Sequence, residues 1–103
     1  MIEPVPQRHL DRARRQTKRR IAACLVRCMA DTDMSFEQIA KRLGRKEETI
    51  RRWLDELVDA KPGGADLNEV SDCLLAMGAE LVFASQSCPW INEPEPSAEA
   101  VAG

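Results

Sequence analysis

Residues 35–54, SFEQIAKRLGRKEETIRRWL, join two short amphipathic segments through a single glycine. Ser35 is placed to accept from the backbone N–H of Gln38 while the Gln38 side chain reaches back, the reciprocal pattern that starts a helix. Ile39, Ala40 and Leu43 give that helix one apolar side. Gly44 falls just past its last turn, where a left-handed backbone costs glycine little, and a sharp change of direction follows. Ile50, Trp53, Leu54 and Leu57 then give a second helix its own apolar side. With that side fixed inward, Glu47, Glu48, Thr49, Arg51 and Arg52 lie toward its N-terminal or outward surface.

The flanking sequence supplies the elements that such a pair packs against. Leu10, Ala13, Thr17, Ile21, Cys24, Leu25, Cys28 and Met29 recur at three- and four-residue steps, which predicts a long first helix over about residues 8–30. Asp31-Thr32-Asp33 ends it with residues that favour local side-chain bonding. Beyond the pair, Lys61-Pro-Gly-Gly-Ala reads as a loop, and Asp66 with Glu69 repeats the capping pattern before a helix that runs to about Met77 and stops at Gly78. AELVFAS reads as a strand, and a lone strand needs a partner; Leu81, Val82 and Phe83 are expected to pair with their copies in a homodimer. The fold class is therefore all-α, a bundle of four to five helices with a short C-terminal β-strand. Residues 1–7 form an N-terminal arm, 8–85 the domain, and 86–103 a Pro-rich tail. A capped helix, a glycine turn and a charged second helix follow the helix-turn-helix plan, in which the second helix enters the major groove of DNA.

Charge is divided between the halves of the chain. Residues 1–52 hold 14 of the 15 Lys and Arg against 7 acids, a formal +7; residues 53–103 hold only Lys61 against 10 acids, a formal −9. Clustered Lys and Arg release condensed counterions from phosphate, so the first half suits a polyanion, whereas the acidic half disfavours indiscriminate coating of nucleic acid. Arg8, Arg12, Arg15 and Arg19 form a row at helical spacing. It reads either as phosphate or minor-groove contact or as a solvated face. Arg42, in the shorter helix before the glycine, is grouped with Arg12, Arg15 and Arg19 as a contact to the DNA backbone.

Other chemistries find less support. No apolar run approaches the ~20 residues of a membrane span and no signal-peptide pattern appears, so the expected location is the cytoplasm, associated with the nucleoid. Cys24 and Cys28 make one loose pair, with Cys73 and Cys88 far away; Cys24, Cys28 and Cys73 read as small buried hydrophobes, and Cys88 as an exposed thiol. The single histidine, His9, reads as a surface residue, and Trp90 as a tail anchor or an interface residue. With no nucleophile and base pair, phosphate loop or ligand cluster, the expectation is no enzyme, no metal and no cofactor.

The stretch MSFEQIAKRLGRKEETIRRWL followed by LNEVSDCLLAMGAELVF resembles the Cro and phage-repressor helix-turn-helix family, also called the XRE family, over roughly residues 34–83. Ala40, Gly44, Ile50 and Trp53 stand at family positions, and LLAMGAEL is similar to the last helix and short strand of small members. The resemblance implies a dimeric regulator of transcription, usually a repressor, of bacterial or phage type, binding double-stranded operator DNA. It puts base reading on Glu47, Glu48 and Arg52, with Thr49 and Arg51 beside them and Arg45 and Lys46 in the turn leading in. Where many members carry a glutamine that braces a phosphate, this chain has Phe36. Two other readings stay open: an antitoxin of the same fold that also grips a toxin, and an adaptor for other proteins that keeps the fold as a scaffold.

Overall fold

Four helices follow one another in the computed structural model, which describes residues 2–59 and 66–91: α1 (Gln7–Thr32), α2 (Phe36–Leu43), α3 (Glu47–Val58) and α4 (Leu67–Ala76). The expected loop at 61–65 and the tail from 92 onward lie outside the described residues.

Each boundary has a local cause. Pro6 opens α1, its carbonyl accepting from the N–H of His9 (3.0 Å) and Leu10 (3.2 Å). The helix continues through Thr32, two residues beyond the expected end, because the Thr32 hydroxyl donates to the Cys28 carbonyl (2.7 Å) within the helix. Asp33 then takes a left-handed backbone (φ 55°) and the Met34 N–H returns to the Met29 carbonyl (3.1 Å). Ser35 caps α2 as its sequence predicts: Ser35 Oγ accepts from the Gln38 N–H (3.2 Å), and Gln38 Oε1 accepts from the Ser35 N–H (2.8 Å). Gly44 ends the helix at φ +65°, with the Arg45 N–H donating to the Ala40 carbonyl (2.9 Å). The same reciprocal cap starts α4, where the Glu69 N–H donates to Asp66 Oδ1 (2.8 Å) and the Asp66 N–H to Glu69 Oε2 (3.3 Å).

The core forms where α3 and α4 each pack on α1 and α2. Its centre is Ile39 from α2, Leu57 from α3 and Val70 from α4, each at most 2% exposed. Around them lie Leu25, Ile50, Trp53, Leu74 and Met77. Burying side chains of this size contributes about 1.5–3 kcal/mol each. From α1, Ala22 and Leu25 are buried and Ile21, Cys24, Cys28 and Met29 pack against the cluster. Leu10, Ala13 and Thr17, expected on the same buried stripe, are exposed. At 26 residues, α1 is far longer than the 8 to 12 residues of its partners, so its first three turns run past them.

Residues 79–85 correct the expected strand. The chain leaves α4 through Gly78 (φ +79°), the Ala79 N–H donates to the Leu74 carbonyl (2.8 Å), and the segment continues without a strand among the described residues. A strand exists only with a ladder to pair in, and the fold offers this segment an apolar groove between α1 and α4 instead. Leu81 is half-buried there beside Ile21, Cys24 and Val70, whereas Val82 and Phe83 remain 80% and 73% exposed. The bundle is thus all-helical, with four helices among the described residues.

Candidate nucleic-acid interface

α3 begins without a side-chain cap: Lys46 stands at the cap position in an extended conformation and makes no such bond. Glu47 and Glu48 occupy the first turn instead, where acids meet the positive end of the helix dipole, an effect of about 0.3–1 kcal/mol each. Because Ile50, Trp53 and Leu57 face the core, the opposite side of the helix carries Glu48, Arg51 and Arg52, all exposed. Arg45 and Lys46 are exposed in the turn just before it, and Thr49 is half-buried.

The two arginines differ in their surroundings. Arg51 donates from Nε (3.1 Å) and Nη2 (2.8 Å) to Glu47 Oε1, one turn back along the helix. Its guanidinium also lies 4.6 Å from the centre of the Phe36 ring. Phe36 is half-buried, with the apolar floor of Leu25, Met29, Ile50 and Trp53 beneath it. It therefore joins α2 to α3 and serves as a platform that holds Arg51 at the surface. Arg52, one residue on, has no hydrogen-bond or ion-pair partner among the described residues. Its fork of N–H donors is open.

Arg42, expected on the DNA backbone, donates from Nη1 to the Ala76 carbonyl (2.9 Å) at the end of α4. The last carbonyls of a helix lack partners within it, and this guanidinium satisfies one of them. Arg12, Arg15 and Arg19 fall elsewhere. Val58, at the end of α3, lies beside Arg19, Ala22 and Val26 of α1, while Ile50, near its beginning, lies with Met29 and Phe36. The arginine row thus starts near the far end of α3 and continues away from Glu47 along the overhanging turns of α1. Neighbours of those turns come from the chain's own C-terminal side: Gln86 to Trp90 lie against Ala13, Gln16, Thr17 and Arg20. Trp90 sits under the Arg12 guanidinium (4.4 Å) and meets His9 edge-on (ring centres 5.5 Å). His9, read from sequence as a surface residue, is half-buried by this contact, and its Nδ1 is buried without a hydrogen-bond partner among the described residues.

The sequence indicates the pairing of Glu47 with Arg51 through its four-residue spacing. Two other contacts carry no comparable signal, since Arg42 to Ala76 spans 34 positions and Arg12 to Trp90 spans 78. Phe36 is visible only as an aromatic residue at an unexpected place.

The cysteines take separate environments: Cys24 and Cys28 half-buried, Cys73 buried and Cys88 exposed. Burial, followed by the nearby Asp72 and Glu69 carboxylates, pushes the Cys73 thiol up to about 11. The folded state therefore holds this proton more tightly than the unfolded chain, so the associated stability is present below pH 9.0 and is lost as pH rises toward 11. Alkylation of the native protein at pH 8 should label Cys88 first and Cys73 only after denaturant is added, a result read by mass spectrometry of the peptides. Equal rates at the two positions would refute this environment for Cys73. Among the described residues no three His, Cys, Asp or Glu side chains come together to hold a metal ion, and no helix is long and apolar enough to cross a membrane.

Comparison with known families matches residues 9–61 to the helix-turn-helix domain. No curated protein and no solved structure matches the chain. The matched span contains α1 from His9 onward, α2, the Gly44 turn and α3, with α4 and the segments after it outside.

Proposed function

The chain belongs to the helix-turn-helix domain family, and from that membership we propose that it is a sequence-specific regulator of transcription which reads double-stranded DNA through α3. The observation that carries the reading is the outward face of α3 after the Gly44 turn, where Arg52 is open and Arg51 is braced at the surface by Glu47 and Phe36. In this role Arg52 reads a guanine edge through two of its N–H donors, Arg45 and Lys46 meet phosphate beside it, and Glu48 accepts from a cytosine amino group. Regulation is steric and involves no catalytic step: a protein seated on an operator blocks polymerase. The resemblance of residues 34–83 to the Cro and phage-repressor family supports reading it as a dimeric repressor.

Selection of bound duplexes from a random pool tests this. One sequence with approximate two-fold symmetry should emerge, and its affinity should fall with salt at a log–log slope of about −0.9 per phosphate neutralised. A pool that stays random after repeated rounds would remove the specificity claim.

A two-fold operator calls for two α3 helices about 34 Å apart, hence two copies of the chain. We place the contact on Leu67, Val82 and Phe83, which share one groove and are exposed by 54%, 80% and 73%. Exposed apolar side chains of this size mark a surface meant to be covered. Phe83→Asp should convert the sedimenting species from dimer to monomer without changing the helical circular dichroism. If the unsubstituted protein already sediments as a monomer, the patch belongs to a different partner, as an antitoxin or adaptor would require.

A further inference from the structure

The outer side of α1 and the end of α3 leave an open apolar hollow between them. Ala23, Val26 and Ala30 of α1 and Val58 of α3 line it, with Arg19 and Arg27 at its rim. Val26 and Val58 are each about half exposed, and both arginines reach solvent. The hollow shares no residue with the groove of Leu67, Val82 and Phe83, which meets α1 along Thr17, Arg20, Ile21 and Cys24. The chain therefore carries two separate uncovered apolar surfaces.

Charge along α1 indicates what covers the second one. Residues 8–20 hold seven Lys and Arg against the single acid Asp11, whereas residues 28–33 hold Asp31 and Asp33 and no Lys or Arg. A helix that is basic at one end and acidic at the other complements its own copy laid antiparallel, while a parallel copy would set the basic ends together. The register is supplied by the sequence around Val26. Ala22 and Ala30 stand four residues to either side of it, and Arg19 and Asp33 stand seven to either side. A two-fold axis through Val26 thus sets Val26 on its copy, Ala22 opposite the partner's Ala30, and Arg19 opposite the partner's Asp33. Both members of the last pair are exposed.

We propose that the hollow between α1 and α3 binds a second copy of the chain, the two α1 helices crossing antiparallel with Val26 on the axis. Two copies bring together four half-exposed valines and their alanine neighbours, a contact smaller than the ~1,200 Å² at which stable complexes begin. It therefore forms at high protein concentration and adds to the contact at Phe83 without replacing it. Arg19, expected from sequence to meet the DNA backbone, takes a protein partner here.

The test uses the full chain with Cys88→Ser, which removes the exposed native thiol. With Val26→Cys added, oxidation of the concentrated protein by copper phenanthroline should give a covalent dimer, and mass spectrometry should find position 26 joined to position 26. Arg14→Cys, also exposed on α1, sets the rate of chance collision. A link at position 26 that forms no faster than this control, or none at all, would overturn the docking. The link should persist when Phe83→Asp is introduced, so a failure of the contact at Phe83 leaves this result standing; loss of the link there would show that α1 makes no contact of its own. At low salt, Arg19→Glu or Asp33→Arg alone should slow the linking roughly tenfold, as two exposed ion pairs become repulsive. The two reversals together should restore the rate, with helical circular dichroism unchanged in all three proteins. Single reversals without effect, or a double reversal as slow as the single ones, would refute the antiparallel register.

Discussion

Leu57→Ala should lower the free energy of unfolding by about 2–5 kcal/mol, the range for emptying a fully buried leucine site. Leu57 is 1% exposed at the end of α3, and the cavity left by its isobutyl group is walled by a cluster that draws on all four helices. A chain of 103 residues has a total stability of about 5–15 kcal/mol, so the loss takes up much of the margin. Val58→Ala provides the control one position away. Val58 is 50% exposed, and its truncation should stay within about 0.5 kcal/mol. Urea melts followed by circular dichroism would read the difference as a shift in midpoint at constant slope. The contrast has a functional meaning, because the inward rotation of Leu57 fixes the outward rotation of Arg51 and Arg52 on the same helix. Similar losses for the two variants would mean that α3 is not oriented as described, and the proposed reading face would go with it.

The parts of the fold that the sequence reveals are those governed by short-range rules. Both capping boxes, the Gly44 turn and the apolar faces of α2 and α3 rest on residues within four positions of one another, where side-chain chemistry and helical period leave few alternatives. The pairing of Glu47 with Arg51 follows from the same logic. Failures arise where a distant element decides. Apolar spacing carries the buried stripe of α1 back to Leu10, but nothing local says that α3 and α4 end short of it. AELVFAS has the composition of a strand, yet whether such a segment pairs depends on an available edge, and the bundle offers a groove that accepts Leu81 alone. The candidate interface divides in the same way. Arg51 and Arg52 are placed by periodicity, whereas the Arg42 contact with Ala76 and the Trp90 contact with Arg12 appear only once the chain has folded back on itself. The arginine row of α1 is legible as a row, but its separation from the beginning of α3 is a property of packing.

Arg52→Ala should weaken binding to the selected operator by about 1–3 kcal/mol, the worth of one good bidentate base contact, and change binding to random duplex far less. The asymmetry follows from the surroundings of the side chain. With no partner among the described residues, Arg52 brings its donors to a guanine edge without first breaking a protein contact. Arg51 must exchange two N–H bonds to Glu47 Oε1 and its seat on Phe36, so the net gain from moving it onto DNA is smaller. Arg52→Lys separates charge from geometry. An ammonium keeps the positive charge and the phosphate attraction but lacks the planar fork that matches guanine O6 and N7. It should therefore retain the salt dependence of the native protein and still lose preference for the operator. Fluorescence anisotropy with operator and scrambled duplexes at several salt concentrations measures both quantities. If lysine restores full preference, Arg52 meets a phosphate, and the reading of sequence must lie with Glu48 or Arg51.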